Sequence, residues 1–159
     1  MSNMPSIDQK IECLKQEIRL IKRGKHAEHY RPHKLVMLLS VIEMIERGLI
    51  TENKIYLSDK LIEIFENIFY LVKRKDDLCQ PGPPFFHLRT SGFWYHKIRS
   101  EKVEDYSKLT TTGGGLRLID EYIEYVYFRQ DVYELLQDPK ARRELRLFIS
   151  ELLNSQEGE

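Results

Sequence analysis

Apolar residues recur every three or four positions over much of the chain, which is the spacing of an amphipathic helix. The first such segment spans residues 7–23, with apolar residues at Ile11, Leu14 and Ile18 among others. Ser6 precedes it as a candidate N-cap and Gly24 follows it as a candidate stop. The chain therefore begins with a predicted helix that turns one apolar stripe toward a core.

The same pattern predicts five further helices. The segment 32–47 is apolar on most sides, so it is predicted to be the central buried helix. The others are predicted at residues 59–74, 116–128, 130–136 and 139–153. Residues 49–57 are predicted to form a small strand or hairpin. The fold class expected is α+β and predominantly helical, with about six helices and a small antiparallel hairpin or sheet.

The segment from Cys79 to Ile98, CQPGPPFFHLRTSGFWYHKI, interrupts the helical pattern. Its three prolines and one glycine between residues 80 and 84 predict a stiff segment that is not helical. Residues 85–88 and 93–98 are predicted to be two strands joined by a turn. We therefore expect a hairpin with one face in the core and one face open to a ligand.

Formal charges cancel over the whole chain, but they are unevenly distributed. Residues 22–34 hold five Lys or Arg against one acid, and residues 73–102 hold seven against three. Residues 35–70 and 103–138 are acidic in compensation. A neutral protein with a positive face is expected, and such a face suits phosphate groups.

Length and composition narrow the class of protein. With 159 residues, one domain is expected over residues 1–159. No apolar run is long enough to span a membrane, and the N-terminus has no signal-peptide layout. Cys13 and Cys79 lack metal-ligand spacing. A cytoplasmic protein with reduced cysteines and no membrane partner is predicted.

Candidate anion-binding residues lie at two places. His33 and Lys34 stand at the start of the predicted central helix, where free backbone N–H groups favour an anion, and Arg31 lies just before them. Arg89 follows the proline-rich segment, and Lys73 and Arg74 precede it.

A second candidate feature is the run of three glycines that ends at Gly115. Two interpretations remain open, a loop that closes over a ligand and a simple connector. It is not a P-loop, because no Gly-Lys-Ser/Thr follows in register. Arg117, beside this run, is the candidate for reading bases in a groove.

The sequence offers no catalytic constellation. No nucleophile stands with an evident base, no pair of carboxylates stands out in the basic regions, and neither a metal nor a cofactor is expected. His29 and His33 are four residues apart but lie across Pro32. The chain is therefore predicted to be a binding module and not an enzyme.

Five motifs in this order are similar to a known family: Arg-Pro-His-Lys (31–34), Gly-Leu-Ile (48–50), Pro-Phe-Phe-His-Leu (84–88), Gly-Phe-Trp (92–94) and Tyr-Glu-Leu-Leu-Gln-Asp (133–138). Together they resemble the DNA sulfur-binding domain of phosphorothioation-dependent HNH restriction endonucleases. That resemblance implies binding of double-stranded DNA in which sulfur replaces a non-bridging phosphate oxygen. It also implies an association with type IV restriction through a nuclease domain or subunit, which has no counterpart in this sequence.

The resemblance also implies roles for particular residues. Pro83, Pro84 and His87 would form the sulfur pocket. Because Pro83-Pro84 stands where relatives often have Tyr-Pro, the aromatic wall of the pocket is either missing or supplied by a neighbour such as Phe85. His33 and Lys34 would contact phosphate. Two other functions remain open from the residues alone, a conventional DNA-binding regulator and a protein-interaction adaptor of a nuclease.

Overall fold

Helix α2 (His33–Glu46) lies at the centre of the molecule because nearly every side of it is apolar. In the computed structural model, which describes residues 4–26, 29–109 and 115–155, three helices pack directly on it. These are α3 (Asp59–Val72), α4 (Gly82–His87) and α8 (Pro139–Asn154). Helix α1 (Ile7–Arg19) packs on α8 and completes the helical layer.

The long helices begin where their caps predict. The Ser6 side chain accepts a hydrogen bond from the Gln9 amide, and the Gln9 side chain returns one to the Ser6 amide, so α1 has a full capping box. The Ser58 side chain accepts a single hydrogen bond from the Leu61 amide at the start of α3, and Asp138 accepts from the first amides of α8. These side chains satisfy donors that would otherwise lack partners, which fixes the helix starts.

Two small antiparallel sheets complete the fold. Strand β1 (Lys25–His26) pairs with β2 (His29–Tyr30) next to the start of α2. Strand β3 (Trp94–Ile98) pairs with β4 (Ile123–Phe128), with Trp94 opposite Phe128. Trp94 and Phe128 face the core, whereas Tyr95 and Tyr127 face outward.

The proline-rich segment corrects one prediction. Residues 82–87 form helix α4 and not a strand, and β3 pairs with β4 and not with residues 85–88. Pro83 and Pro84 lie in the first turn of α4, where a backbone N–H has no intrahelical partner, so their missing donors are not needed there. The three prolines therefore lie at the start of a helix, whereas the sequence predicts that they prevent one.

A second correction concerns residues 116–128. The structure divides them into α6 (Leu116–Tyr122) and β4, with the change at Ile123. The sequence of β4, Ile-Glu-Tyr-Val-Tyr-Phe, is rich in β-branched and aromatic residues, and pairing with β3 favours the strand. The predicted strand at residues 54–57 is reduced to an isolated bridge between Ile55 and Val126.

The remaining described elements are short. They are α5 (Val103–Tyr106), α7 (Gln130–Leu135) and two 3-10 helices, Leu88–Ser91 and Ser100–Lys102. The predicted α+β, predominantly helical class is confirmed, although eight α-helices are described where about six were expected. Buried apolar side chains from all of the longer helices and from β3 and β4 form one cluster. Within the described residues, no helix has the length and apolar character needed to cross a bilayer.

Candidate nucleic-acid interface

Helix α4 presents two prolines and a histidine on one face. Residues 83, 84 and 87 are separated by one and three positions, so they lie on the same side of a helix. Phe86 and Leu88 are buried, which anchors the helix while Pro83 and His87 remain half-buried. Pro84 is buried but still reaches the open side of the helix. The result is a rigid apolar wall in which Pro83 and Pro84 offer no backbone donor.

The start of α2 faces this wall. Its N-cap residue is Pro32, which makes no side-chain hydrogen bond to the first amides. The first turn of α2 therefore lacks the acceptor that Ser6 and Ser58 supply to α1 and α3. Backbone donors and the positive end of the helix dipole favour an anion at this point.

An open cleft of about 730 Å³ separates the two helices. Pro83, Pro84 and His87 line it from α4, and His33 and Lys34 line it from α2. Two further segments close the sides, one around residues 20–24 and the other around residues 76–80. With Arg31, which also lines it, the structure therefore brings six of the predicted site residues together around one space.

Both predicted phosphate-contacting residues are held in place by backbone carbonyls. The Nε2 atom of His33 lies 2.6 Å from the Leu78 carbonyl oxygen, which can only accept, and its ring packs on Phe69 at 4.8 Å. Lys34 donates from Nζ to the Lys22 carbonyl at 2.7 Å. Burial lowers the pKa of His33 and also that of Lys34, and Lys22 lowers the Lys34 pKa further.

Arg31 also lines the cleft, but its guanidinium is already engaged. Its Nη1 atom donates to the Asp77 carboxylate at 3.0 Å and to the Asp76 carbonyl at 3.0 Å. Asp77 is fully buried and also accepts from the Arg74 amide and lies 3.3 Å from His29 Nε2. Burial raises the pKa of Asp77, but the hydrogen bonds outweigh it and leave the pKa below its usual value.

A polar network supports the α4 wall from behind. The Arg89 guanidinium stacks on the Phe86 ring at 4.2 Å and donates to the Tyr106 hydroxyl and the Leu109 carbonyl. The Tyr106 hydroxyl lies 2.7 Å from Nδ1 of His96. Arg89 therefore ties the segment after β3 to α4, and it does not line the cleft.

Histidine protonation is disfavoured around this network. Burial is the largest influence on His87, and the charges of Lys34 and Arg89 add to it, so its pKa is lowered. Burial, with the charge of Arg89, lowers the pKa of His96 to about 4, although the Phe85 and Phe86 backbone raises it slightly. The cleft wall at His87 is therefore uncharged near neutral pH.

Several predicted site residues do not line the cleft. Phe85 is 1% exposed, packs edge-on against Trp94 and points away from Pro83, so it cannot serve as the wall of this cleft. Arg117 is exposed on α6, which packs on α4 near Gly82. Lys73 and Arg74 lie just after α3 and outside the cleft lining. The predicted glycine-run loop at residues 110–114 lies outside the described residues.

Sequence reasoning missed other residues of the cleft. Lys22, Arg23 and Leu20 line it next to α2. Arg23 stacks on Tyr30 at 4.6 Å, and Leu20 is 80% exposed. A usable signal was present, because Leu20 falls outside the three- and four-residue spacing of α1 and so points away from the core. The only sequence signal for Asp77 is that it is an acidic residue within the basic segment 73–102.

A metal site and the two cysteine thiols are the other kinds of chemistry to consider in the described part of the chain. Residues 4–26, 29–109 and 115–155 contain no group of three or more His, Cys, Asp or Glu side chains that could hold a metal ion. Cys13 and Cys79 are free thiols, and burial is the main cause that raises the pKa of Cys79. The residues that line the cleft therefore suit a ligand with an anionic and an apolar part.

Comparison with known proteins identifies the fold. No family model and no curated protein sequence matches the chain. Among solved structures, the chain is similar to the sulfur-binding domain of SprMcrA complexed with phosphorothioated DNA, with a TM-score of 0.65 and 15% sequence identity. The match covers 92% of this chain and 87% of that chain. The fold implied by the sequence motifs is thereby confirmed as that of a DNA sulfur-binding domain.

Proposed function

We propose that this chain is a double-stranded DNA-binding module that recognises a phosphorothioate linkage in the cleft between α2 and α4. The observation that carries the proposal is the placement of Pro83, Pro84 and His87 opposite His33 and Lys34. The shared fold with a domain solved on phosphorothioated DNA supports it. The sulfur atom would rest on the proline wall, and the remaining phosphate oxygens would face α2.

Selectivity would follow from the different hydration of sulfur and oxygen. A phosphorothioate keeps its negative charge, but its sulfur is larger, softer and less hydrated than oxygen. An ordinary phosphate oxygen against Pro83 and Pro84 would lose water without gaining a donor, at a cost of roughly 1–3 kcal/mol. Apolar contact with sulfur adds ~0.8 kcal/mol, because sulfur is close to one methylene group in size. The modified strand is therefore favoured mainly because the unmodified strand is rejected.

Affinity without selectivity would come from the cations around the cleft. Lys22, Arg23 and Lys34 line it, and Arg31 contributes a charge that Asp77 partly neutralises. Lys73, Arg74 and Arg89 would act only where the duplex extends beyond the cleft, and Arg117 remains the candidate for base contacts. Such contacts release counterions, so binding should weaken as salt increases.

We further propose that the module serves a nuclease, as the resemblance to phosphorothioation-dependent HNH restriction endonucleases implies. On this proposal the chain supplies recognition and has no catalytic step of its own. The nuclease would be a domain or subunit joined to it, which directs cleavage to modified DNA in the cytoplasm.

A titration with matched duplexes tests the proposed function. Two fluorescent duplexes of one sequence are compared, one with a single phosphorothioate and one without, at two salt concentrations. We expect about ten- to several-hundredfold tighter binding of the modified duplex, from the roughly 1–3 kcal/mol cost for oxygen together with the ~0.8 kcal/mol contact with sulfur, and weaker binding of both duplexes at higher salt. Equal affinity would exclude sulfur recognition. Sequence preference on unmodified DNA would favour a conventional regulator, and indifference to salt would favour a protein-interaction adaptor.

A further inference from the structure

A second groove lies on the opposite side of α4 from the cleft. At about 100° per residue, Phe85 points roughly 150° away from the centre of the face formed by residues 83, 84 and 87. Phe85 contributes to a groove of about 460 Å³, together with the buried side chains of Ile119 and Ile123. Leu116, which is 46% exposed, and Ile62 form apolar walls. A groove of this size accommodates one or two large side chains of a ligand.

The rim of this groove is acidic. Asp59, Asp120 and Glu124 line it, and all three are exposed. Arg99 is the cation among the described lining residues, and it is already engaged with Asp120. Its Nε atom donates to the Asp120 carbonyl at 2.9 Å, and its Nη2 atom lies 4.0 Å from the carboxylate. Three carboxylates against one occupied guanidinium leave a net negative rim that suits a cation.

A row of tyrosine rings continues from the groove across the outer face of β3 and β4. Tyr56 and Tyr125 line the groove with ring centroids 5.8 Å apart. The ring centroid of Tyr127 lies 6.1 Å from that of Tyr125, and the ring centroid of Tyr95 lies 5.5 Å from that of Tyr127. The Lys54 ammonium already sits 5.3 Å from the Tyr125 ring centre, which shows that these rings accept cations. Tyrosine is also enriched at the centres of protein interfaces.

We propose that the groove and the tyrosine row bind a segment of a partner protein in which Lys or Arg residues flank an apolar anchor. The anchor would fill the space over Phe85, while the cations would pair with Asp59, Asp120 and Glu124 or stack on the tyrosine rings. This surface is distinct from the DNA cleft, and the inference does not depend on the proposed function.

Charge decides between a protein partner and a nucleic acid at this surface. Aromatic rows with interspersed cations also stack single-stranded bases. A phosphate backbone on this face would, however, approach the three carboxylates of the rim, whereas the cleft on the other side of α4 is lined by cations. The two faces of α4 therefore carry opposite charge and suit different partners.

Peptide selection tests the inference. A random library of displayed 12-residue peptides is selected on the immobilised full chain, and the enriched peptides are synthesised and titrated by fluorescence anisotropy. We expect sequences with Lys or Arg on both sides of a Leu, Ile, Phe or Trp. Glu124→Lys should weaken their binding at least tenfold, whereas Glu151→Lys, a matched reversal at an exposed position of α8, should leave it unchanged.

A second variant separates the two surfaces. Lys34→Ala alters the DNA cleft only, so peptide affinity should stay within twofold of that of the native chain. The inference is overturned if selection enriches no peptide, if the enriched peptides are acidic, or if Glu124→Lys binds them as well as the native chain does. It is equally overturned if a 12-residue oligothymidylate binds the native chain and Tyr125→Ala abolishes that binding.

Discussion

At the residue scale, the cleft combines prolines that lack a backbone donor, a histidine that stays neutral and a lysine that is held in one position. Pro83 and Pro84 cannot donate a hydrogen bond from the backbone, and burial with two nearby cations keeps His87 neutral. Lys34 can donate, but the Lys22 carbonyl already holds it in one position. The cleft therefore combines a wall of two proline rings that have no donor with a fixed positive charge, and the two properties can be removed separately.

Pro83→Ser tests the donor-free wall. The substitution removes ring carbons from contact with sulfur and adds a hydroxyl that can donate to an ordinary phosphate oxygen. We expect the preference for the modified duplex to fall about fivefold, or ~1 kcal/mol, with affinity for the unmodified duplex kept or improved. Paired titrations measure the two affinities. If both duplexes weakened by the same factor, Pro83 would act only through the structure of α4.

Lys34→Met tests the fixed charge while keeping an unbranched apolar side chain. We expect both duplexes to bind more weakly by the same factor, so that the preference for sulfur is unchanged. The slope of log affinity against log salt should become shallower by about 0.9, because one phosphate contact is lost. Lys10→Met, at an exposed position of α1, is the matched control and should leave the slope unaltered. A changed preference with an unchanged slope would contradict this role.

His96 gives the fold a predictable acid sensitivity. Its pKa in the folded chain is about 4, against an ordinary value near 6.5, so the unfolded chain binds the proton more tightly. Stability should therefore fall as pH drops below 6.5 and should level off near pH 4. Between pH 7 and pH 5, the loss from this group is about 2 kcal/mol at ~1.4 kcal/mol per pH unit.

Urea unfolding at the two pH values measures this loss. His96→Asn keeps an acceptor near the Tyr106 hydroxyl but does not titrate, so its stability should depend clearly less on pH than that of the native chain. A variant that lost as much stability as the native chain would show that His96 does not carry the effect. The comparison is made within each protein, so any fixed cost of the substitution cancels.

At the scale of elements, α4 is a helix where the sequence predicts a non-helical segment followed by a strand. Helices α1, α2, α3 and α8 are predictable because each has a cap or a proline at its start and a clear apolar spacing, whereas α7 is predicted without a capping residue at its start. A proline-rich segment predicts the absence of a helix unless its prolines lie in the first turn. The sequence does not show where that turn begins, because the position of α4 depends on tertiary contacts such as that of Phe85 with Trp94. Long-range pairing with β3 likewise decides that residues 123–128 form a strand.

The candidate site was predictable in part for the same physical reason. His33 and Lys34 could be named from their place at the start of a predicted helix, and Pro83, Pro84 and His87 from the resemblance to a known family. The pairing of Arg31 with Asp77 joins residues that are 46 positions apart in the chain, so it could not be predicted from the sequence. The direction of Phe85 could not be predicted either, because it depends on α4 being a helix. The sequence therefore predicts which residue types are available for the site, but not the directions or long-range partners of their side chains.

Asp77 is predicted to join the elements that form the sides of the cleft. Its buried carboxylate links Arg31 and His29, which flank the start of α2, to the backbone at Arg74. Asp77→Ala should lower the free energy of unfolding by about 2–3 kcal/mol, because it removes the buried carboxylate that these donors share. Hydrogen exchange at the Arg74 amide should also become faster.

The control for this prediction is Asp105→Ala, at an exposed position of α5, which should change stability by less than about 0.5 kcal/mol. Equal stability of Asp77→Ala and the native chain would show that Asp77 is not the link between these segments. Faster exchange at Arg74 without a loss of global stability would confine its role to the loop after α3.

At the scale of the whole molecule, zero net charge conceals two different faces. The cleft side of α4 gathers Lys22, Arg23 and Lys34, and the opposite side carries a rim of carboxylates. A module with this arrangement can hold DNA on one face and a protein on the other without self-repulsion between its ligands. Helix α4 lies between the two faces and shapes both.

The most direct test of the account is the position of the sulfur atom itself. The chain is crystallised with a duplex in which selenium replaces the sulfur of one linkage, and anomalous diffraction locates the selenium. We predict a single peak within about 4–4.5 Å of the Pro83 and Pro84 rings, with the phosphate oxygens directed toward the first turn of α2. A selenium atom in solvent, or one placed away from the wall formed by residues 83, 84 and 87, would contradict the account.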